Sequence, residues 1–399
     1  MAKKGRYQTP KSGGGWKKAL IIILCLALVL GGLAVAGYFY MDSKLNKITQ
    51  AQFEEKDTSN VDLSALLGNM DETQPSETTE PTTEATEPTT EETTEATTEA
   101  PTEPDYGQTG KIVNILVVGQ DSREGEVHKL ADSIILGSLN KETKTLTLTS
   151  FLRDSYVNLP DYYRGHTCGW NRINTSYALG YAWFGDAGAM EMLNLTLEGN
   201  YGIKVDGNVE ISFDTFKSVI DLLGGIELEF VGDEYTKMLW WQDVFNEHYE
   251  WLGVDTRIDF KEGVNLVNGD LALEYARERA VNNSDNDMNR ARRQQIIIEK
   301  VLEKLKKMSV LELNKLLDTV LPQITTNIST DDMKMYIKEL LPYIVDLQIV
   351  RNQCPAEGTY WGEMVDLPDG RSGVLKIDFN KNKEIMKAIC YDEAEEAAK

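Results

Sequence analysis

The chain of 399 residues has little of the side-chain chemistry that many enzymes and nucleic-acid-binding proteins use. Three histidines and four cysteines with no CxxC pair give no pattern for a zinc site and leave little for His-based catalysis. There is no Walker A loop and no GxGxxG, so a soluble nucleotide is not indicated. Outside the N-terminal tail no basic stripe runs along the chain, which argues against a nucleic-acid partner.

Basic residues are outnumbered by acidic ones, 41 to 64, so the net charge is -23. About half of it falls between residues 71 and 105, a stretch with acids and no bases. Residues 73–104 form a Thr/Glu/Pro repeat with no aliphatic side chain larger than Ala, which cannot bury enough apolar surface to fold. We expect a disordered spacer with a mean reach on the order of 30 Å.

One long apolar run is present, from Ala19 to Tyr40, and its residues at ~1.5 Å each span a ~30 Å hydrocarbon core. Basic residues precede the run, so the N-terminus should stay in the cytoplasm. The run exceeds the ~7–15 apolar residues of a cleaved signal peptide. We therefore predict a cytoplasmic basic tail (1–18), a single-pass signal-anchor helix in the cell membrane (19–40), an extracellular linker (41–109) disordered from about 71, an extracellular domain (110–392) and an acidic tail (393–399).

Three cysteines follow the anchor, in a compartment where disulfides form. Cys354 and Cys390 bracket the last segment and suit a disulfide that leaves Cys168 free, but the sequence does not fix the pairing.

Strand-like and helix-like patterns alternate after residue 110. The runs IVNILVVG, DSIILGSLN and KTLTLTSF predict three strands. Helical periods follow at 174–182, 188–197, 213–223, 269–276 and 287–308, with the strand-like IELEF after Gly224 and Gly225. The alternation predicts a single α/β domain.

Acidic and basic side chains gather at the ends of the three predicted strands. Asp121 and Arg123 follow the first strand, Asp132 opens the second, and Arg153 and Asp154 end the third. Each residue alone suits an ordinary surface ion pair.

A second group of arginines lies in the later helical region. Arg277 and Arg279 in YARER share one face if the segment is extended. Arg290, Arg293 and Gln294 lie on one side of a helix, on a stripe that continues through Ile297, Val301 and Leu305. Alone, this pattern is typical of a helix that enters a core.

Taken together, several arginines aimed inward beside carboxylates require an anionic ligand or a metal to balance their charge. Arginine binds phosphate oxygens bidentately, and two carboxylates hold Mg²⁺ without a full protein cage. The residues therefore predict a site for a pyrophosphate with a divalent cation.

At this point the chain resembles a known family, the LytR-CpsA-Psr proteins. The resemblance covers residues 111–308 through NILVVGQDSR, LADSIIL, LTSFLRDSYV, RINTSYALG, FKSVIDLLGGIEL, NGDLALEYARER and DMNRARRQQ, and continues weakly to the end. It implies a central mixed β-sheet flanked by helices. It also implies a membrane-anchored phosphotransferase that moves glycopolymers from polyprenyl pyrophosphate carriers onto the peptidoglycan of Gram-positive cells.

The family's site residues carry over by position. The resemblance implies Mg²⁺ or Mn²⁺ at Asp121 and Asp132. It implies pyrophosphate binding by the arginine and glutamine set Arg123, Arg153, Arg172, Arg277, Arg279, Arg290, Arg293 and Gln294. One departure is Leu130, where many members have arginine, so that phosphate contact is missing or supplied by Arg123 or Lys129.

The hypothesis is phosphoryl transfer to a peptidoglycan hydroxyl, with catalysis by Arg153, Asp132 and Asp154 and with Asp154 or Asp132 as proton acceptor. A lipid pyrophosphate hydrolase would use the same residues with water as acceptor. A non-catalytic wall-binding or regulatory membrane protein would need neither metal nor arginines. Teichoic acid, capsule and secondary wall polysaccharides all suit the motifs as the polymer.

Overall fold

The computed structural model describes residues 36–58, 63, 111–121, 129–250, 259–278, 286–305, 307–340, 347–367 and 370–391. The predicted tails 1–18 and 393–399, the acidic repeat and most of the predicted anchor helix lie outside these residues. Within the described ranges, no helix is both long enough and apolar enough to cross a bilayer.

A central mixed sheet of seven strands organises the domain. The strands, numbered β1 to β15 in chain order, are Thr49–Gln50, Ile112–Asp121, Leu130–Asn140, Thr145–Phe151, Tyr156–Asn158, Tyr162–Tyr163, His166–Thr167, Trp170–Arg172, Gly207–Ser212, Ile226–Phe230, Gly263–Val267, Ile324–Thr326, Gln348–Cys354, Tyr360–Leu367 and Gly370–Ile377. The order across the sheet is β1-β12-β9-β2-β3-β4-β13. Short two-stranded ribbons, including β10–β11 and β14–β15, pack around it.

The three strands predicted from the first apolar runs are β2, β3 and β4, and they pair as an antiparallel meander. Asp121 pairs with Leu130, and Ile134 pairs with Phe151. The end of β2, the start of β3 and the end of β4 therefore meet at one edge of the sheet. Because β9 runs parallel to β2, its C-terminal end joins them there.

The helices, numbered α1 to α9 in chain order, are Ala36–Leu45, Ile173–Tyr201, Phe213–Leu222, Asp233–Glu250, Gly269–Arg277, Asn286–Leu305, Val310–Val320, Thr330–Leu340 and Phe379–Tyr391. Ser212 and Asn268 cap α3 and α5, since their side chains accept from backbone N–H groups of the first turn. After α3, Gly224 and Gly225 adopt φ of 71° and 83°, which favours glycine and turns the chain into β10. The prediction of a helix followed by a strand is confirmed, but the expected return into the main sheet is wrong, because β10 pairs with β11 in a separate two-stranded ribbon.

Helix α2 joins the two helical stretches that the sequence predicts at 174–182 and 188–197. Phe184 and Gly185 have non-helical backbone angles, so the helix kinks between the stretches. The bend brings Gly180 against Gly188: a Cβ added to Gly180 would lie 2.2 Å from the Gly188 carbonyl oxygen. The absence of side chains at both positions therefore permits the close approach.

Apolar side chains fill both sides of the sheet. One core lies between the sheet and α3, α5, α6, α7 and α8, and the other lies between the sheet and α2 and α9. The prediction of a single α/β domain with a central mixed sheet flanked by helices is confirmed.

Residues 42–58, which the sequence assigns to the linker, pack against this domain. Strand β1 extends the sheet beyond β12, and the Leu45 and Ile48 side chains are buried in the first core. The Lys47 ammonium lies 2.6 Å from an Asp318 carboxylate oxygen, and the Lys56 ammonium lies 3.5 Å from the centre of the Tyr181 ring. This part of the predicted linker is therefore an integral edge of the fold.

The three cysteines of the described residues, Cys168, Cys354 and Cys390, are buried free thiols. The Cys354–Cys390 disulfide that the sequence leaves open is not formed. Burial raises the pKa of both the Cys168 and the Cys390 thiols to about 12, so both are protonated and unreactive at neutral pH.

The packed edge segment predicts a difference in stability between two truncated proteins. A chain that starts at residue 36 should be more stable than one that starts at residue 110 by at least about 2 kcal/mol, because burying Leu45 and Ile48 contributes roughly 1.5–3 kcal/mol each. Denaturant unfolding measures the difference. Deleting only 73–104 from the longer protein is the control. Equal stability of the two truncated proteins would contradict the packing of this segment.

Candidate active site

A cavity of about 490 Å³ opens at the edge where the ends of β2, β3, β4 and β9 meet. Helices α3, α5 and α6 complete its walls. Charged and polar side chains line it where these strands and helices begin or end, a part that we call the mouth, and mainly apolar side chains line the rest, which we call the interior. The lining residues are Val117, Gly119, Asp132, Ser133, Ile135, Arg153, Ile211, Ser212, Phe213, Phe216, Leu273, Ala276, Arg277, Arg290, Gln294 and Ile298.

A chain of charged side chains runs across the sheet edge at the mouth. Arg153 Nη1 donates to Asp132 Oδ1 at 3.0 Å. Arg153 Nε lies 3.6 Å from Asp154 Oδ1, and Arg172 Nε lies 3.7 Å from the same oxygen. Each carboxylate thus orients a guanidinium beside the cavity, and the arrangement alternates base and acid as the sequence predicts.

The helices supply the other cationic and polar groups. Arg277, in the last turn of α5, places its guanidinium 4.9 Å from the centre of the Phe213 ring. Arg290 and Gln294 come from one side of α6, and Gln294 Oε1 accepts from Ser133 Oγ at 2.9 Å. The stacking and the hydrogen bond help to orient the Arg277 and Gln294 side chains.

Behind the mouth the cavity is walled by aliphatic and aromatic side chains. The sheet contributes one wall and the three helices the others, through Val117, Ile135, Ile211, Phe213, Phe216, Leu273 and Ile298. Such a space offers water few hydrogen-bond partners, whereas a hydrocarbon chain is stabilised there. The whole is suited to an amphipathic ligand with an anionic head and an apolar tail.

Five predicted site residues line the cavity together: Asp132, Arg153, Arg277, Arg290 and Gln294. Asp154 and Arg172 lie next to them, through Arg153. The Asp121 backbone ends β2 opposite Leu130, and its side chain is not described. Arg123 and Arg279 lie outside the described residues.

Arg293 does not line the cavity, although the sequence groups it with Arg290 and Gln294. Its Nη2 lies 2.6 Å from Glu278 Oε2, and the same nitrogen donates to the Glu278 carbonyl oxygen. Successive helical residues are 100° apart, so Arg293 is rotated about 60° from Arg290 and meets the end of α5. The assumption that YARER is extended also fails for Arg277, which is helical.

Lys129 is held away from the position that Leu130 leaves without an arginine. Its ammonium lies 3.0 Å from Glu210 Oε1 and 2.8 Å from Asp186 Oδ1. Burial lowers the pKa of Lys129, but the two carboxylates outweigh burial and raise it overall. The lysine thus belongs to an internal ion-pair cluster.

Ser133 and Phe213 line the cavity, and Glu278 pairs with Arg293 beside it, but none of the three was predicted. Ser133 directly follows Asp132 in the sequence, and Phe213 opens α3, so both neighbour residues that the motifs include. Glu278 stands between the two predicted arginines of YARER. Its partner lies on another helix, which no local pattern reveals.

The carboxylates present fit Mg²⁺ only as a partner of a bound phosphate. Among the described residues no group of three or more His, Cys, Asp or Glu side chains is placed to hold a metal. Asp132 lines the cavity, and the β2–β3 register puts Asp121 close to it in the neighbouring strand. Mg²⁺ commonly takes one or two carboxylates and completes its shell with phosphate oxygens and water.

Comparison with known proteins gives a consistent result. The sequence profile of the LytR_cpsA_psr family matches residues 38–368. Biofilm regulatory protein A of Streptococcus mutans is 30% identical over 270 residues, which cover 64% of this chain and 61% of that protein. The polyisoprenyl-teichoic acid–peptidoglycan teichoic acid transferase TagT of Bacillus subtilis is 26% identical over 246 residues, 60% of this chain and 66% of TagT. The chain thus matches less than two thirds of each relative's length.

Solved structures match the fold. TagT bound to LIIa-WTA has a TM-score of 0.53 at 23% identity, with 73% of this chain and 93% of that chain covered. Protein gbs0355 from Streptococcus agalactiae has a TM-score of 0.52 at 23% identity, with coverage of 70% and 88%. At this identity the likeness establishes the fold.

The helix that presents Arg277 carries a pH-dependent group. Burial raises the pKa of Glu274 to about 7, against a hydrogen bond from Gln242 that lowers it and with the charge of Asp270 raising it further. A carboxyl whose folded pKa is raised stabilises the fold at low pH, and this stability is lost as the pH rises through about 7.

Glu274→Gln should therefore be more stable than the native chain at pH 8, by on the order of 2 kcal/mol, and similar to it near pH 5. Thermal unfolding between pH 5 and 8.5 measures the gap. Glu227→Gln, on the exposed face of β10, should show no such pH-dependent gap. A constant difference across the range would show that Glu274 does not titrate as described.

Proposed function

Because the chain belongs to the LytR_cpsA_psr family, we propose that it transfers a glycopolymer from a polyprenyl pyrophosphate carrier to peptidoglycan. The observation that carries the proposal is the cavity with an arginine-rich mouth and an apolar interior. The curated relatives named as teichoic acid transferases support it, since their names describe this class of reaction.

In this proposal the donor binds with its two ends in different surroundings. Its pyrophosphate lies at the mouth, where Arg153, Arg277 and Arg290 line the opening and offer bidentate N–H donors. Its polyprenyl chain enters the apolar interior. A nucleotide would leave that interior unfilled, whereas a lipid-linked saccharide uses both halves of the cavity.

The reaction is a phosphoryl transfer. A hydroxyl of peptidoglycan attacks the phosphorus that carries the sugar, a P–O bond to the acceptor forms, and the P–O bond to polyprenyl phosphate breaks. The hydroxyl proton goes to a carboxylate of the Arg153 network, Asp132 or Asp154. The arginines neutralise charge on the transferring and leaving groups, which is the main source of catalysis in such reactions.

A divalent cation would be held by Asp132 and Asp121, with phosphate oxygens and water as its other ligands. When bound, Mg²⁺ or Mn²⁺ adds positive charge beside the pyrophosphate. Asp132 already orients Arg153, so this carboxylate connects the metal position to the phosphate-binding guanidinium.

The cavity recognises features that several donors share. Teichoic acid, capsule and other wall polysaccharides can all be carried on polyprenyl pyrophosphate, and their sugars extend outward from the mouth. Teichoic acid is the polymer in the names of the transferase relatives. We also propose that residues 19–40 anchor the chain in the membrane with the domain outside, where both donor and peptidoglycan are found.

Replacing the arginine and carboxylate at the mouth should abolish transfer. We expect Arg277→Ala and Asp132→Ala to reduce Mg²⁺-dependent movement of label from a lipid-linked saccharide to peptidoglycan by at least about 100-fold. Arg371→Ala, an exposed arginine of β15, is the matched control. Unchanged transfer in Arg277→Ala would refute a catalytic role for this site. Label released into water instead of peptidoglycan would identify a lipid pyrophosphate hydrolase.

Blocking the apolar interior should separate tail binding from head binding. Ile211→Trp places an indole inside the cavity, so affinity for a polyprenyl pyrophosphate donor should fall by at least about tenfold, while inorganic pyrophosphate binds as before. Calorimetric titration measures both ligands. Val264→Trp, at an exposed position of β11, should affect neither. Undiminished binding of the long-chain donor would rule out the interior as the lipid site.

A further inference from the structure

Two of the three cavity arginines, Arg277 and Arg290, stand on helices that a buried ion pair joins. Arg277 ends α5, and Arg290 lies in the second turn of α6. Glu278 follows Arg277 directly, and Arg293 lies one turn beyond Arg290. The Glu278–Arg293 contact therefore joins the two helices at the level of the two cavity arginines.

The pair is inside the protein. The Glu278 and Arg293 side chains are 1% and 8% exposed, and Nη2 of Arg293 lies 2.6 Å from Oε2 of Glu278. The same guanidinium also donates to the Glu278 backbone carbonyl and lies 5.7 Å from the centre of the Tyr275 ring. Arg293 thus contacts both the side chain and the backbone of Glu278, the residue that follows Arg277.

A buried ion pair of this kind favours one arrangement over others more than it adds stability. Desolvation of the two charges offsets much of their attraction, whereas removal of one partner leaves an unpaired charge in the interior. The expected effect of the contact is therefore on geometry. A displacement of about 1 Å in a phosphate-binding group is enough to lose a large part of its effect.

We propose that Glu278 and Arg293 are positioning residues, which set the spacing of Arg277 and Arg290 for a pyrophosphate ligand. Arg293 itself does not contact the ligand. The inference rests on the proposed function, because it assumes that the cavity mouth binds pyrophosphate. It assigns to Glu278, which no sequence motif singled out, a specific part in ligand binding.

Double-mutant analysis separates positioning from direct contact. We expect Glu278→Leu and Arg293→Met each to weaken binding of inorganic pyrophosphate by at least about tenfold. The double variant Glu278→Leu with Arg293→Met replaces both charges by apolar groups, so it should bind no worse than either single variant. If Arg293 instead contacted pyrophosphate, Glu278→Leu would leave binding intact and Arg293→Met would lose it in either background, and the proposal would fall.

Two controls distinguish positioning from loss of stability. Arg351 on β13 pairs with Glu299 of α6, with Arg351 Nε 2.6 Å from Glu299 Oε1, and neither lines the cavity. Arg351→Met should leave pyrophosphate affinity unchanged. Leu316→Ala, at a core position of α7, should lower the melting temperature without changing the pyrophosphate affinity. If pyrophosphate affinity simply followed melting temperature across all variants, a positioning role would be excluded.

The outcome also separates this inference from the proposed function. A native chain that binds no inorganic pyrophosphate and transfers no saccharide would contradict the proposed function. A native chain that binds and transfers, with single variants of Glu278 and Arg293 that bind equally well, would contradict the positioning role alone.

Discussion

The pairing of β2 with β3 on one side and with β9 on the other is the constraint on which the site depends. Because β3 is antiparallel and β9 parallel to β2, their functional ends fall at the same edge of the sheet. Strand β4 adds a further end, which delivers Arg153 to Asp132. A one-residue slip of β3 against β2 would turn Asp132 to the opposite face of the sheet and bury its charge among aliphatic side chains. The same register that satisfies the core therefore also assembles the cavity mouth.

The cavity lies between the sheet and the layer formed by α3, α5 and α6 at that edge. Phe213 and Phe216 of α3 supply bulk on one side, and Ile298 of α6 supplies it on the other. Two arginines at the mouth have neighbouring partners: Arg153 donates a hydrogen bond to Asp132, and the Arg277 guanidinium stacks on the Phe213 ring. Such an arrangement keeps the arginines oriented before a ligand arrives, so less ordering remains to be done on binding.

Local patterns sufficed for the strands β2 to β4 and for the helices that begin at Phe213 and Gly269, because each follows from alternation or capping within a few residues. The grouping of Asp132, Arg153 and Arg277 came from the ordered set of motifs that the chain shares with the family. The kinked continuity of α2 was not predictable, because the close contact of Gly180 with Gly188 becomes visible only when both turns are placed.

Arg293 shows a different limit of sequence reasoning. Helical spacing correctly puts it near Arg290 and Gln294, yet the two rows on α6 diverge: one follows Arg290, Gln294 and Ile298 into the cavity, and the other follows Arg293 and Ile297 into contact with α5 and the core. A 60° difference in direction decides between lining the cavity and contacting a neighbouring helix. Only the position of Glu278, which comes from the tertiary structure, settles which row faces the cavity.

Strand β1 alters how the acidic repeat relates to the rest of the chain. Residues 42–58 precede the repeat and pack against the domain, the Leu63 side chain is buried in the second core, and β2 begins after the repeat, at Ile112. Described residues on both sides of the repeat thus belong to the same domain. Under the proposed anchor at residues 19–40, the distance between domain and bilayer is set by the few residues ahead of Asp42, whose carboxylate pairs with Lys334 of α8. A change in the length of residues 73–104 would then leave that distance unchanged.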